Sequence, residues 1–172
     1  MDAGMPLNAT ILAAKQVKDI HEKIRAQWGC SFDTDKKYGY LLSRKNKIHL
    51  INRDLTQHLG LDVIGALRTD RAGMYFGEPT PGGLRLSIEG SQLVGPAATK
   101  NVLFISDSEM ALWLKGEPLE KENPITESGF VIIAWRNTVG TDFVGCGRVH
   151  ADHQMIANFI PKTRTVLSNE PL

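Results

Sequence analysis

Residues 68 to 90 read RTDRAGMYFGEPTPGGLRLSIEG, and no other stretch limits the fold so strongly. Gly73, Gly77, Pro79, Pro81, Gly82 and Gly83 rule out a long helix there and mark turns between short strands. The segment is expected to bridge two parts of the chain. A length of 172 residues suits this, being enough for one core or for two small domains packed together.

Before the bridge, Ala13, Val17, Ile20, Ile24 and Trp28 recur at spacings of three and four, which predicts an amphipathic helix over 10–28. Thr10 or Asn8 is its expected cap, and Gly29 its stop. YGYLLSRKNKIHLIN predicts a hairpin, with strands at 38–42 and 47–51 and a turn at 44–46. RDLTQHLG predicts a short helix, and VIGAL at 63–67 a buried strand. Together these make an α/β unit over 1–92.

After the bridge comes NVLFIS as a strand, then DSEMALWLKG as a short helix capped by Ser106 or Asp107. GFVIIAW, DFVGCGRV and TRTVLS predict three more strands. A strand, a short helix and several strands in so short a span predict a small, nearly closed β-barrel over 93–172, and the whole is an α+β protein. No repeat, low-complexity tract or long linker interrupts it.

No apolar run approaches a membrane span, and MDAGMPLNAT lacks the basic flank and apolar core of a secretory signal, so the expected location is the cytoplasm. Cys30 and Cys146 are too few and too far apart for a disulfide framework and are expected as free thiols. The net charge of +1 conceals a division. Residues 15–53 carry ten Lys or Arg against four Asp or Glu, and residues 78–127 carry four against eight. The stretch 136–164 is basic again, with Arg136, Arg148, Lys162 and Arg164 against Asp142 and Asp152. Such patches suit a polyanion bound at one face; the N-terminal excess is equally a solvated helix face.

The run GCGRVHADHQMIANFIPKTRTV concentrates the chemistry. Cys146, His150 and His153, with Cys30 as a fourth, lack the paired close spacings of a structural zinc site, so no metal is expected. There is no G-x-S-x-G elbow, no Walker-type phosphate loop and no G-x-G-x-x-G entering a helix. No catalytic residue and no cofactor are therefore expected. Arg148, Asn158, Phe159, Lys162 and Arg164 instead supply cations, hydrogen-bonding groups and a planar ring at close spacing, as an RNA surface requires. Phe159 is expected in the core. Lys162 and Arg164, two apart on a strand, are expected to share a face and contact phosphates.

These stretches resemble the PUA domain, the small pseudo-barrel RNA-binding module of pseudouridine synthases and archaeosine transglycosylases. AGMYFGEPTPGGLRLSIEGSQLVGP, ALWLKGEPLE, GFVIIAW, GCGR and NFIPKTRTV are similar, in that order, to segments of the archaeal and eukaryotic large-subunit biogenesis PUA proteins and of the PUA modules of Nop/Sun/Fmu-type RNA cytosine-5 methyltransferases. One departure is Ala157, where the methyltransferase-linked pattern carries a lysine before the asparagine. The resemblance implies a C-terminal PUA-like pseudo-barrel and a non-catalytic RNA-binding protein of rRNA processing and ribosome biogenesis. It also implies partners among ribosome assembly factors or an RNA methyltransferase. Carried onto this chain, the implied RNA surface is Lys115, Gly116, Arg148, Asn158, Lys162 and Arg164, with fixing of the local backbone as the alternative role of Asn158. A protein-interaction scaffold, or a stand-alone RNA-binding partner of an RNA methyltransferase, is the alternative function.

Overall fold

Alternating apolar residues and a left-handed Asn46 (φ 58°) make the hairpin of β2 (Tyr38–Ser43) and β3 (Ile48–Asn52) that the sequence predicts. The structure is a computed structural model that describes residues 9–32, 34, 36–58, 73–121, 129–151 and 154–166. The expected strand at 63–67, Asn8 as a cap, and His153 lie outside these residues. β1 (Ala9–Ile11) pairs with β2, while β4 (Met74–Thr80) and β5 (Gly83–Leu86) continue the sheet beyond β3, all antiparallel. The Gly/Pro-rich bridge is thus a hairpin within the first sheet.

Helix α1 (Ala14–Trp28) covers one face of this sheet through Ile20, Ile24 and Trp28, which meet Tyr40, Ile48, Leu50, Phe76 and Leu84. It begins later than the periodicity predicts, because Thr10 and Ile11 pair with Leu42 and Leu41. Thr10 is not its cap; Ala13 holds that position, and Gln16 Oε1 accepts the Ala13 N–H. Gly29 ends the helix at φ 67°, as expected. After β3 comes the short helix α2 (Arg53–His58).

Helix α3 (Ile88–Val94) follows β5, with Ser87 Oγ accepting the Gly90 N–H at its start. Residues 92 and 93, where the sequence suggests a division, lie within it. It packs on β4 of the first sheet and on β9 (Thr141–Val149) of the second. Contact with β4 is so close that a Cβ on Gly90 would come within 2.0 Å of the Phe76 carbonyl oxygen.

The second sheet runs β6 (Val102–Ile105), β8 (Phe130–Arg136), β9 (Thr141–Val149), β10 (Met155–Asn158) and β7 (Leu119–Glu120). Only the β6–β8 pair is parallel, and the sheet curls into a half-barrel. The molecule is thus mixed α/β, consistent with the α+β class. Helix α4 (Asp107–Leu114) starts at Ser106, whose hydroxyl accepts the Glu109 N–H while the Glu109 carboxylate accepts the Ser106 N–H. It inserts Trp113, fully buried, whose Nε1 donates to the Val144 carbonyl beside the left-handed Gly145 (φ 126°).

Two apolar clusters result. The first lies between the sheets, where Phe130, Ile132 and Cys146 join the residues under α1. The second, under α4, contains Leu103, Ile105, Trp113, Val131, Ile133, Val149 and Ile156. Among the described residues no helix is long and apolar enough to cross a membrane.

Candidate nucleic-acid interface

Asn158, the last residue of β10, organises one end of the second sheet. Its Nδ2 donates to the carbonyls of Trp113 (2.8 Å) and Glu117 (3.0 Å), and its Oδ1 accepts the Ile160 N–H at 2.7 Å. Three hydrogen bonds to backbone make it a fixing residue, the second of the two roles open to it in the sequence. The backbone that it holds is the end of α4, which turns at Gly116 with φ 85°. Over this turn passes the closing segment: Val166 N–H donates to the Leu114 carbonyl, and a Cβ on Gly116 would come within 2.9 Å of Thr165 Cγ2. Glycine at this position meets both demands, left-handed backbone and close approach.

Lys115 therefore lies against the segment that carries Lys162 and Arg164. Both lysines are exposed and have no carboxylate partner among the described residues. The expectation that Lys162 and Arg164 share a strand face is not met. Residues Lys162–Arg164 form one turn of 3-10 helix after Pro161, with the Arg164 N–H donating to the Pro161 carbonyl at 2.7 Å. At three residues per turn, side chains two apart diverge instead of aligning. Lys162 points into solvent, whereas Arg164 forms an ion pair with Glu89 at the start of α3. Its charge is already matched. The strand expected for TRTVLS is likewise absent over 163–166, and its last two residues lie outside the described ones.

Arg148 belongs to the adjacent face, where the two sheets meet. Its guanidinium carbon lies 5.8 Å from the Phe130 ring centre, and Phe130 is 6.1 Å from Phe159. On the far side, Arg85 of β5 stacks over Phe159 at 4.6 Å while it forms an ion pair with Glu78 at 2.5 Å. Phe159 is accordingly not core, as the apolar run MIANFI suggested; it is 37% exposed and sandwiched at the surface. Its partners come from β5 and β8, distant in sequence, and the only signal for its exposure is Pro161, which steers the chain away from the sheet. Arg85 carried no signal of its own.

The remaining candidates divide cleanly. Cys146 and Cys30 are free and buried in the first cluster, and burial pushes the Cys146 thiol up to about 12. His150 is exposed beyond the end of β9. Along α1, Lys15, Lys18, Lys23 and Arg25 occupy the exposed side opposite Ile20 and Ile24, with Lys18 paired to Glu22. The arrangement at the α4 end offers two exposed ammonium groups, without an ion pair among the described residues, on a backbone held by hydrogen bonds, which suits phosphate oxygens. The adjacent face adds a guanidinium and an aromatic ring. Compared with protein-family models the chain matches none, and no curated protein matches it.

Proposed function

We propose that the protein is a non-catalytic RNA-binding protein of the PUA type, acting in rRNA processing or ribosome biogenesis. One observation carries this reading: Asn158 fixes the α4 end and the closing segment together, so that the exposed Lys115 and Lys162 stand on adjoining backbone without carboxylate partners among the described residues. A cation without a counter-ion on a rigid frame loses little entropy when it meets a phosphate, and the counter-ions that it releases favour binding. The curled second sheet and the order of strand, helix and strands agree with the resemblance in the sequence. Arg148 widens the basic surface. Arg164 is reassigned from phosphate contact to bracing of the closing turn against α3.

The test is fluorescence anisotropy of labelled ribosomal RNA fragments with wild type and Lys115→Ala/Lys162→Ala, over a range of salt concentrations. Each phosphate contact removed should lower the slope of log affinity against log salt by about 1. Equal affinities and slopes for the two proteins would move RNA binding away from this end. A wild type that binds no RNA, yet retains an assembly factor or methyltransferase, would establish the scaffold function instead.

A further inference from the structure

Between β6, the start of β9 and the segment after α3 lies a cavity of about 620 Å3, well within the range of small-molecule sites. Its floor is the second sheet, represented by Phe104, Thr141 and Phe143; its wall is the segment after α3, including Pro96, Thr99 and Lys100. The wall is built, not draped. Thr99 and Lys100 N–H groups donate to the Trp28 carbonyl, Thr99 Oγ1 donates to the Gly29 carbonyl, and Asn101 Nδ2 donates to the Gln27 carbonyl at 2.6 Å. The C-terminal end of α1 thus fixes the cavity before any ligand arrives.

Phe104 is 47% exposed, unusual for an aromatic residue in a short strand whose neighbours Leu103 and Ile105 are buried. Arg136, at the end of β8, lays its guanidinium over the Phe104 ring at 4.8 Å. Neither Arg136 nor Lys100 has a carboxylate partner among the described residues, and no carboxylate lines the cavity. The nearby acids are engaged elsewhere: Asp107 accepts from Trp135 Nε1 and Asp142 from Asn137 Nδ2. Trp135 packs on the second cluster, the side of β8 opposite to Arg136.

A ligand for this cavity must present a planar face to the Phe104–Arg136 pair and negative charge to Lys100 and Arg136. An apolar molecule would desolvate two cations without compensation. An acidic peptide would supply charge but leave the exposed ring and guanidinium plane unused. We infer that the cavity takes one unpaired nucleotide of a single-stranded RNA, its base stacked on Phe104 and Arg136 and its phosphates facing Lys100. This rests on the RNA-binding function proposed above but uses a different face, so the RNA would meet the protein at the α4 end and again here.

The experiment compares wild type, Phe104→Leu, Arg136→Gln and Lys115→Ala/Lys162→Ala. The probe is a short single-stranded RNA carrying one fluorescent aminopurine, read by anisotropy and by quenching of the stacked analogue. Duplex RNA and adenosine monophosphate serve as controls. Phe104 is exposed, so Phe104→Leu should fold like wild type, which circular dichroism verifies. Expected is single-strand binding with aminopurine quenching that Phe104→Leu abolishes, together with an affinity loss of at least about fivefold for removal of one base stack. Arg136→Gln should weaken binding and flatten its salt dependence. If wild type and Phe104→Leu bind and quench alike, the inference is overturned while the RNA-binding function stands. If wild type binds none of the RNAs, both fall. Adenosine monophosphate binding as tightly as the RNA would make this a free-nucleotide site and overturn the strand assignment. A protein partner released by Phe104→Leu with RNA affinity unchanged would overturn it too.

Discussion

Replacing Asn158 by aspartate separates two roles that the sequence leaves open. The native side chain donates to Trp113 and Glu117 carbonyls and accepts from the Ile160 N–H. Aspartate keeps the acceptor bond, loses both donor bonds and sets a carboxylate oxygen against two carbonyl oxygens. Each lost hydrogen bond is worth about 1 kcal/mol net, and the added repulsion about the same again, so Asn158→Asp should cost roughly 3 kcal/mol. Asn158→Ala loses three bonds, but water can replace it at the carbonyl of the exposed Glu117, so its cost should be smaller, about 2 kcal/mol. For a chain of this size a 3 kcal/mol loss lowers Tm by roughly 6–12 °C. Urea denaturation of the three proteins gives the order wild type, Ala, Asp. RNA anisotropy, run well below the lowest Tm, gives the second reading. A direct RNA contact would behave in the opposite way: stability within about 0.5 kcal/mol of wild type, as at ordinary surface sites, and a collapse of affinity as a negative charge meets phosphate. That combination would refute the fixing role.

Two further outcomes follow from the packing and the charges. Gly90→Ala should destabilise the fold by about 2–3 kcal/mol, because its Cβ would meet backbone at the Phe76 carbonyl, whereas Gly140→Ala, with nothing within 4 Å, should unfold near the wild-type urea midpoint. Glu109 supplies an acid-dependent term: burial pushes its carboxyl up, but the Ser106 N–H, Lys121 and Ser106 hydroxyl bonds together hold it below its ordinary 4.5. A depressed folded-state value means that the unfolded chain binds the proton more readily, so this stabilisation is present above pH 4.5 and disappears as pH falls through the folded value. The urea midpoint of Glu109→Gln should therefore fall less steeply than that of wild type on acidification below that pH; parallel curves would exclude the contribution.

Features written within a few neighbouring residues were legible in the sequence. The period of α1, its stop at Gly29, the hairpin around Asn46 and the cap at Ser106 each depend on local spacing. The start of α1 was not, because Thr10 and Ile11 answer to a partner strand thirty or more positions away. Lys162 and Arg164 failed for a related reason: a period of two can be read only over a run, and a single turn of 3-10 helix after Pro161 leaves no run to read. Of the six candidate site residues, Lys115 and Lys162 stand exposed together, Gly116 and Asn158 shape the backbone beneath them, Arg164 braces the turn, and Arg148 faces the meeting of the sheets. Phe159 looked like filling and NVLFIS read only as a strand, since exposure depends on which strand lies opposite, and a run such as VLFIS does not disclose that of Phe104.

The strand β8 is buried over five successive residues, Phe130 to Ala134. Phe130 and Ile132 belong to one apolar cluster, Val131 and Ile133 to the other. Lifting the first sheet or α4 away would strip one side of the same strand, so neither can open alone without exposing apolar surface on β8. The cooperative unit is therefore the whole body and not the sheet, with no hinge at β8 between its halves. A block of this kind holds the Lys115 side and the Phe104 side at a set separation. On the proposed function, an RNA that engages both sides would have to match that separation.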